Sequence, residues 1–364
     1  MNQLPVLSGL PLEELTELLT SFRFAHTHVN MYMKKPPPMR MRAKQIFKWI
    51  ASGASAFDTM DNLPLQLRKE LVDHFSLRPK VIEEKHSGDD GTVKLVLQFS
   101  DGAKVEAVLL SGRSKKETMR YTACLSTQAG CPIGCVFCKT GSIGFRRNLN
   151  SAEIIEQLLL LQKYTCGSPI ANIVVMGMGE PLLNLDELRR AIAVITDAGG
   201  LHLSRRRITV STCGITEGII SLAENGPAVR LALSLVSADG ELRRRIMPIT
   251  ANEPLAKVKE ALAFYQARGG GRITLEIVLL SGINTGGADA QYIAQFAKGL
   301  DAVINLIPWN PVTGLSFEGR PLREPSPAET AAFKRSLETY GLNVTGRFRR
   351  GRSIMGACGQ LGDK

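Results

Sequence analysis

The chain has 364 residues, of which 44% are hydrophobic, so it can form one large domain and a small one around a sizeable core. Its formal net charge of +11 favours a polyanionic partner, and nucleic acid is the polyanion that it favours most. Seven cysteines, an odd and unevenly spread set, argue against a secreted disulfide framework. The N-terminus has no basic segment followed by an apolar core, and no apolar run approaches the ~20 residues that span a bilayer. We therefore expect a cytoplasmic protein without a membrane segment.

Residues 1–80 carry helical patterns. Apolar residues recur at helical spacing from Pro11, and a further helix is expected from Asn62 to about Phe75. Between them, after three prolines at 36–38, a basic helix from Arg40 to Ile50 carries Arg40, Arg42, Lys44 and Lys48 beside Phe47 and Trp49. This helix either grips RNA phosphates or is a solvated helix with its aromatic residues in the core. We predict a small helical accessory domain at residues 1–85.

Residues 93–110 predict a β-hairpin. Apolar residues alternate on both sides of a turn at residues 100–102. Glu106 lies on the opposite face of the second strand, and the pattern alone predicts a surface carboxylate there. The hairpin and a polar linker make up residues 86–116, and the remaining residues, 117–364, form the core domain.

After Tyr121 the sequence alternates between strand and helix patterns. One helix start is well marked, because Ser326 and Glu329 form a capping-box pattern with Pro327 at the first helical position. Repeated strand–helix units predict an α/β fold with a parallel sheet, either doubly wound or a barrel. The candidate strands are 121–125, 170–176, 207–211, 229–235, 273–279, 303–307 and 343–347.

Three cysteines, Cys131, Cys135 and Cys138, have the spacing Cys-x3-Cys-x2-Cys in a glycine-rich loop. Three thiolates suit a cubic iron–sulfur cluster, which normally takes four cysteine ligands, and leave one iron free. Structural zinc, the competing ion, normally has four protein ligands. A zinc-holding, non-catalytic RNA-binding protein is therefore the alternative from another class.

The cysteine spacing resembles that of the radical S-adenosylmethionine (SAM) superfamily, in which the free iron of a [4Fe-4S] cluster chelates SAM. Five further stretches narrow the resemblance to the RlmN/Cfr family of RNA adenine methyltransferases: residues 124–131, 144–149, 176–184, 307–311 and 357–361. This resemblance covers nearly the whole chain, and it implies that the helical accessory domain at residues 1–85 binds RNA. It implies an open, partial (β/α)6 radical-SAM barrel with ligands at the C-terminal ends of its strands. The motifs obey that rule, since the cysteine loop follows strand 121–125 and Glu180 follows strand 170–176.

The resemblance also implies the SAM contacts. Gly179 and Glu180 take the position of the SAM-amine site; glycine lets the protein backbone approach the ligand closely, and a carboxylate pairs with an ammonium. Without the resemblance they would form an ordinary tight turn. The remaining implied contacts are Ser211, Ser234, Leu235, Val236 and Asn310. Many members have Ser-Leu-His where this chain has Ser234-Leu235-Val236, so a backbone contact could survive there but an imidazole contact could not.

Two distant cysteines complete the implied mechanism. Cys358 takes a methyl group from one SAM, and a second SAM, reduced by the cluster, yields the radical that activates this methyl group. The activated carbon adds to adenine, Glu106 accepts the departing proton, and Cys124 attacks the Cys358 sulfur to release the product. The two sulfurs must meet, so we predict that the C-terminus folds back over the barrel mouth. Cys166 and Cys213 match no role.

The resemblance implies methylation of carbon 2 of adenosine in 23S ribosomal RNA, and of the adenosine beside the tRNA anticodon. It also implies a one-electron reductant such as flavodoxin and a monomeric enzyme. A Cfr-type enzyme, which methylates carbon 8 and gives antibiotic resistance, is the alternative, and residues 140–144 look somewhat Cfr-like. A radical-SAM enzyme acting on a protein glycyl site is a third reading, disfavoured by Cys124 and Cys358. Arginine clusters that fit an RNA substrate lie at 146–147, 205–207, 243–245 and 347–352.

Overall fold

The structure, a computed structural model, describes residues 4–22, 39–113, 119–346 and 350–362. The prolines at 36–38 and two arginines of the last cluster, Arg347 and Arg349, lie outside these ranges. The α-helices are α1 (Leu12–Ser21), α2 (Met39–Ala51), α3 (Leu65–His74), α4 (Lys139–Ser142), α5 (Ser151–Gln162), α6 (Leu185–Thr196), α7 (Thr216–Asn225), α8 (Gly240–Ile246), α9 (Leu255–Tyr265), α10 (Gly287–Ala297) and α11 (Pro327–Thr339). The strands are β1 (Val81–Ser87), β2 (Val93–Phe99), β3 (Lys104–Arg113), β4 (Met119–Cys124), β5 (Gln128–Gly130), β6 (Phe145–Asn148), β7 (Ile170–Val175), β8 (Ile208–Thr212), β9 (Arg230–Ser234), β10 (Ile273–Leu279), β11 (Ala302–Pro308), β12 (Ser316–Phe317), β13 (Arg320–Pro321) and β14 (Val344–Gly346).

One large sheet organises the molecule, with strand order β1-β2-β3-β4-β7-β8-β9-β10-β11-β14. From β4 to β14 every pairing is parallel, and helices connect the successive strands. All seven predicted strands are present, each beginning and ending within two residues of its predicted limits. The predicted α/β fold with an open (β/α)6 arrangement is confirmed.

The predicted hairpin is part of a wider antiparallel unit. β2 and β3 pair around residues 100–102 as predicted, but β1 adds to one side and β3 pairs with β4 on the other. The hairpin is therefore continuous with the barrel sheet. Because β1 runs from Val81 to Ser87, the predicted domain boundary at residue 85 falls inside a strand.

The N-terminal helices pack directly against the barrel. Helix α2 buries Phe47 and exposes Arg40, Lys44 and Lys48, a basic stripe with four-residue spacing. A buried bidentate ion pair joins Arg78, which follows α3, to Glu156 of α5, with both N–O distances 2.7 Å. The aromatic side chain of Phe47 thus belongs to the core, while the cations of α2 remain available at the surface.

Helix α11 begins as predicted. The Ser326 hydroxyl accepts a hydrogen bond from the Glu329 backbone N–H (3.1 Å). Hydrogen bonding from the Ser326 backbone is one of the contacts that lower the pKa of the Glu329 carboxylate. The same carboxylate accepts hydrogen bonds from the hydroxyls of Ser281 and Thr285. Tertiary contacts with the loop after β10 therefore add to the predicted capping interaction.

Candidate active site

The three motif cysteines line one cavity of about 160 Å³ at the C-terminal ends of the parallel strands. Burial raises the pKa of the Cys131 thiol to about 12, and it also raises the pKa values of Cys135 and Cys138. A thiolate in such a place needs positive charge close by, which bound iron supplies. In the described ranges no three His, Cys, Asp or Glu side chains are grouped to hold one metal ion. A cubic iron–sulfur cluster has a different requirement, because each cysteine binds a separate iron atom. Three thiols around one cavity meet this requirement.

Main-chain contacts fix the loop that carries these cysteines. The loop begins after β5 and ends at α4. Gly130, at the start of the loop, has φ +77°. A β-carbon added to Gly130 would lie only 1.8 Å from Gly144 O. Three hydrogen bonds hold the loop: Cys131 N to Gly144 O (2.9 Å), Val136 N to Ile246 O (3.0 Å) and Trp309 Nε1 to Phe137 O (2.8 Å).

Glu180 lies beside the cysteines in the same cavity. Gly179 has φ +104°, and a β-carbon there would lie 2.6 Å from Gln128. The Glu180 carboxylate accepts hydrogen bonds from the backbone N–H groups of Cys213 (2.8 Å) and Leu182 (3.1 Å). Burial raises the pKa of Glu180, and these N–H groups act in the opposite direction. A buried carboxylate held in this way suits a ligand ammonium.

Two of the predicted SAM contacts, Ser211 and Ser234, meet in this cavity with their hydroxyl oxygens 3.2 Å apart. Leu235 and Val236 do not line it: both are buried, and their N–H groups donate to Glu276 O. Val236 has φ +59°, an unfavourable conformation for a β-branched residue. Its side chain packs in an apolar cluster beneath the cysteine loop. A backbone role for this pair stays a prediction.

Cys358 lies where two cavities adjoin. It lines the cavity of the three cysteines, and it also lines a smaller one of about 60 Å³ that it shares with Cys124. Asn310, in that smaller cavity, donates from Nδ2 to Cys358 O (3.0 Å). The rest of the lining is largely apolar and includes Val108, Leu110, Val174, Met176 and Ile307, with Arg350 at one side.

The predicted fold-back of the C-terminus over the barrel mouth is confirmed. The segment carrying Cys358 is hydrogen-bonded both to the cysteine loop and to the loop after β11. These bonds are Lys139 N to Gly359 O (2.8 Å), Thr140 Oγ1 to Leu361 O (2.6 Å) and Gln360 Nε2 to Pro311 O (3.0 Å).

The expectation that Glu106 is a surface carboxylate is wrong. Its side chain is buried and lies 3.5 Å from Nζ of Lys94, which is also buried and donates to Met355 O (3.5 Å). Glu106 stands two residues before Val108 on the same face of β3, and Val108 pairs in register with Cys124. The C-terminal segment covers this face of the sheet, which no local pattern reveals. The sequence contains one sign of this burial, because Lys94 and Glu106 carry opposite charges and lie on the same face of the hairpin.

The arginine clusters divide into structural and exposed members. Arg243 is buried and donates to the backbone oxygens of Leu235 and Cys213, so it is not an RNA contact. Arg205 and Arg206 are exposed. The others that meet acidic or backbone partners are Arg146 (Asp101 O and Gly102 O), Arg147 (Asp101 and Glu153), Arg244 (Glu241), Arg245 (Glu318) and Arg352 (Glu324).

Comparisons with known proteins agree with this geometry. Residues 125–289 match the Radical SAM superfamily. The fold is similar to the crystal structure of a radical SAM methyltransferase from Sphaerobacter thermophilus, with 34% identity, a TM-score of 0.86, and coverage of 98% of this chain and 99% of that one. The protein is therefore a radical SAM enzyme of the methyltransferase class. No helix within the described ranges is both long and apolar enough to cross a membrane.

Curated relatives define the family more narrowly. A probable dual-specificity RNA methyltransferase RlmN of Treponema denticola is 49% identical over 89% of this chain and 90% of its own length. The protein of the same name from Thermus thermophilus is 42% identical, with 88% of each chain covered. The chain belongs to the RlmN family.

Proposed function

We propose that this enzyme transfers a methyl group from SAM to carbon 2 of adenosine in 23S ribosomal RNA, and of the adenosine beside the tRNA anticodon. Membership of a family whose curated relatives are named dual-specificity RNA methyltransferases supports the RNA substrate. The observation that carries the reaction is the place of Cys358, which borders both the cavity of the cluster cysteines and the cavity of Cys124.

In this proposal Cys131, Cys135 and Cys138 hold a [4Fe-4S] cluster, and Glu180, Ser211, Ser234 and Asn310 bind SAM, with Gly179 and the 235–236 backbone beside it. The cluster with bound SAM supplies the radical chemistry that activates an otherwise inert methyl group. The chain's own residues do the rest, by holding the methyl group and by moving a proton.

Two cysteines act in turn. The Cys358 thiolate attacks the methyl carbon of a first SAM, the bond from that carbon to the SAM sulfonium breaks, and S-adenosylhomocysteine leaves. A second SAM is consumed in the activation step. Arg350 lines the same cavity as Cys358. After the methyl carbon has bonded to adenine, Glu106 accepts the proton that leaves the adduct. The Cys124 thiolate then attacks the Cys358 sulfur and the carbon–sulfur bond breaks. The released carbon takes up a proton to become the methyl group, the unpaired electron of the adduct passes back to the one-electron carrier, and a Cys124–Cys358 disulfide remains until it is reduced.

The exposed cations give the RNA a surface to bind. The stripe Arg40, Lys44 and Lys48 on α2 and the exposed pair Arg205 and Arg206 fit phosphate contacts on a chain of net charge +11. The proposal also includes a one-electron donor such as flavodoxin as the source of electrons. It further includes a monomeric enzyme with a cytoplasmic location.

Turnover with deuteromethyl-labelled SAM tests the proposal. Anaerobically reconstituted protein is incubated with ribosomal RNA and with tRNA, and digested nucleosides are compared with 2-methyladenosine and 8-methyladenosine standards by mass spectrometry. We expect label in 2-methyladenosine from both RNAs. Label in 8-methyladenosine would assign the Cfr-type reaction instead, and no labelled adenosine from protein with an intact cluster would overturn the proposal.

A further inference from the structure

Two large apolar side chains are exposed just after the loop of the three motif cysteines. Ile143 is 45% exposed and Phe145 is 49% exposed, and Gly144 between them is exposed as well. Phe145 begins β6, which pairs with β5 in a two-stranded ribbon. Neighbouring apolar side chains that remain in water indicate a contact surface for another molecule.

Cations surround these two side chains. Lys104 and Lys139 line one cavity of about 450 Å³ together with Ile143, and within the described ranges neither lysine forms an ion pair. Arg146 is exposed and donates to main-chain oxygens of the turn at 101–102, so no carboxylate neutralises it there. The cations and the apolar pair together form the ribbon patch: Lys104, Lys139, Ile143, Phe145 and Arg146.

The ribbon patch lies beside two of the cysteines that would hold the cluster. Lys139 directly follows Cys138 in the chain. At the other end of the patch, Gly144 O accepts the hydrogen bond of Cys131 N (2.9 Å). The rate of electron transfer falls steeply with the distance between donor and acceptor, so an electron carrier must dock where the cluster is close to the surface. The ribbon patch meets this condition.

RNA is the competing occupant, because Lys104 shares its cavity with Glu106. The place where adenine must meet Cys358 lies further along the same face of β3, at Leu110, which lines the Cys358 cavity. At about 3.3 Å per residue, Leu110 is about 20 Å from Lys104 along the strand. Ile143 also has no ring that could stack on a base, unlike the aromatic residues that bind single-stranded RNA. These observations favour a protein as the occupant.

We propose that the ribbon patch is the docking surface of an acidic one-electron carrier protein. Its cations attract the carboxylates of the carrier and speed the encounter, while Ile143 and Phe145 supply apolar contact. Small interfaces are typical of electron-transfer partners that must separate after each encounter. One electron passes from the carrier, which is oxidised, to the cluster, which is reduced, and no covalent bond changes. The inference rests on the cluster and the electron donor of the proposed function, whichever RNA is methylated.

Stopped-flow absorbance of the reconstituted cluster tests the docking surface without RNA. The reductant is either a reduced bacterial flavodoxin, which is an acidic protein, or dithionite, which is a small ion. One variant combines Ile143→Ser with Phe145→Ser, and the other is Lys104→Glu. Each should lower the second-order rate constant for reduction by flavodoxin about tenfold or more. Reduction by dithionite should change little, because a small ion needs no docking surface.

The opposite edge of the sheet offers matched controls. Tyr340 is 50% exposed and lies between α11 and β14, and Lys298 is exposed and lies between α10 and β11. Both residues precede a strand, so they lie far from the C-terminal strand ends where the cluster cavity opens. Tyr340→Ser and Lys298→Glu should therefore be reduced by flavodoxin as fast as the wild-type protein.

Three results would overturn the inference. Rate constants for flavodoxin within about twofold of wild type in both patch variants would exclude docking there. A wild-type rate that does not fall as salt is raised would exclude a charge-guided contact, even if a variant lost its iron. Normal reduction by flavodoxin with weaker RNA filter binding would assign the patch to RNA. If reduction follows the expected pattern but no RNA is methylated, the proposed function fails while this inference stands.

Discussion

Replacing Arg243 by methionine should destabilise the protein although Arg243 stands in a run of three arginines. The residue is 1% exposed, and its guanidinium donates to Leu235 O (3.1 Å) and to Cys213 O. Each hydrogen bond from a charged group contributes about 1.5–3 kcal/mol. Methionine avoids part of the cost of burying a cation, a cost visible in the lowered pKa of Arg243, which burial causes. The net loss should be about 2–4 kcal/mol.

The adjacent arginine gives a matched control. Arg244 is exposed and paired with Glu241 one turn earlier on the same helix, so Arg244→Met should change the free energy of unfolding by less than about 0.5 kcal/mol. Urea unfolding of both reduced apoproteins, followed by far-UV circular dichroism, measures the difference. The Arg243 variant should also bind less iron on reconstitution, since Leu235 and Cys213 follow the strands that line the cluster cavity. Equal urea midpoints for the two variants would refute the reasoning.

Three further predictions concern the cluster loop, the RNA surface and acid stability. Gly130→Ala should abolish iron binding on reconstitution, because its β-carbon would lie 1.8 Å from Gly144 O; Gly134→Ala, with open space around it, should retain iron at a cost of about 1–2 kcal/mol. Changing the α2 stripe (Arg40, Lys44 and Lys48) to glutamine should weaken RNA binding at low salt and reduce the slope of log K against log salt by about 2, measured by filter binding; an unchanged slope would remove α2 from the interface. The hydrogen-bonded Arg147 lowers the pKa of Asp101 to about 2, so the stability from this pair is present above about pH 4 and lost as the pH falls toward 2; the gap between the urea midpoints of wild type and Asp101→Asn should close over that range, and a constant gap would contradict it.

The strands and the cysteine loop were predictable because their signals are local. Alternating or continuous apolar runs mark β4 and β7 to β11 whatever surrounds them, and the spacing of Cys131, Cys135 and Cys138 lies within eight residues. The order of strand–helix units then fixes which loops meet at one edge of the sheet. Strand order therefore predicts that Glu180, Ser211 and Ser234, the residues to which the family resemblance points, lie together.

The misplaced residues depend on contacts between distant parts of the chain. Glu106 is buried beside Lys94, which in turn donates to the backbone oxygen of Met355, some 250 residues later in the chain. Arg243 is internal, where its guanidinium donates to the carbonyl oxygens of Leu235 and Cys213 just after two strands, and a run of arginines gives no sign of this. Both are polar groups whose burial depends on a partner that periodicity does not show.

The most direct test of the central claim is to trap the intermediate that joins the protein to RNA. Cys124→Ala protein, reconstituted anaerobically and given SAM, reductant and RNA, should accumulate a covalent protein–RNA adduct, because no thiol is left to attack the Cys358 sulfur. After nuclease and protease digestion, mass spectrometry should place an adenosine on the peptide that contains Cys358, and Cys358→Ala should form neither adduct nor methylated RNA. Free methylated RNA released by the Cys124→Ala variant at the wild-type rate would contradict the account.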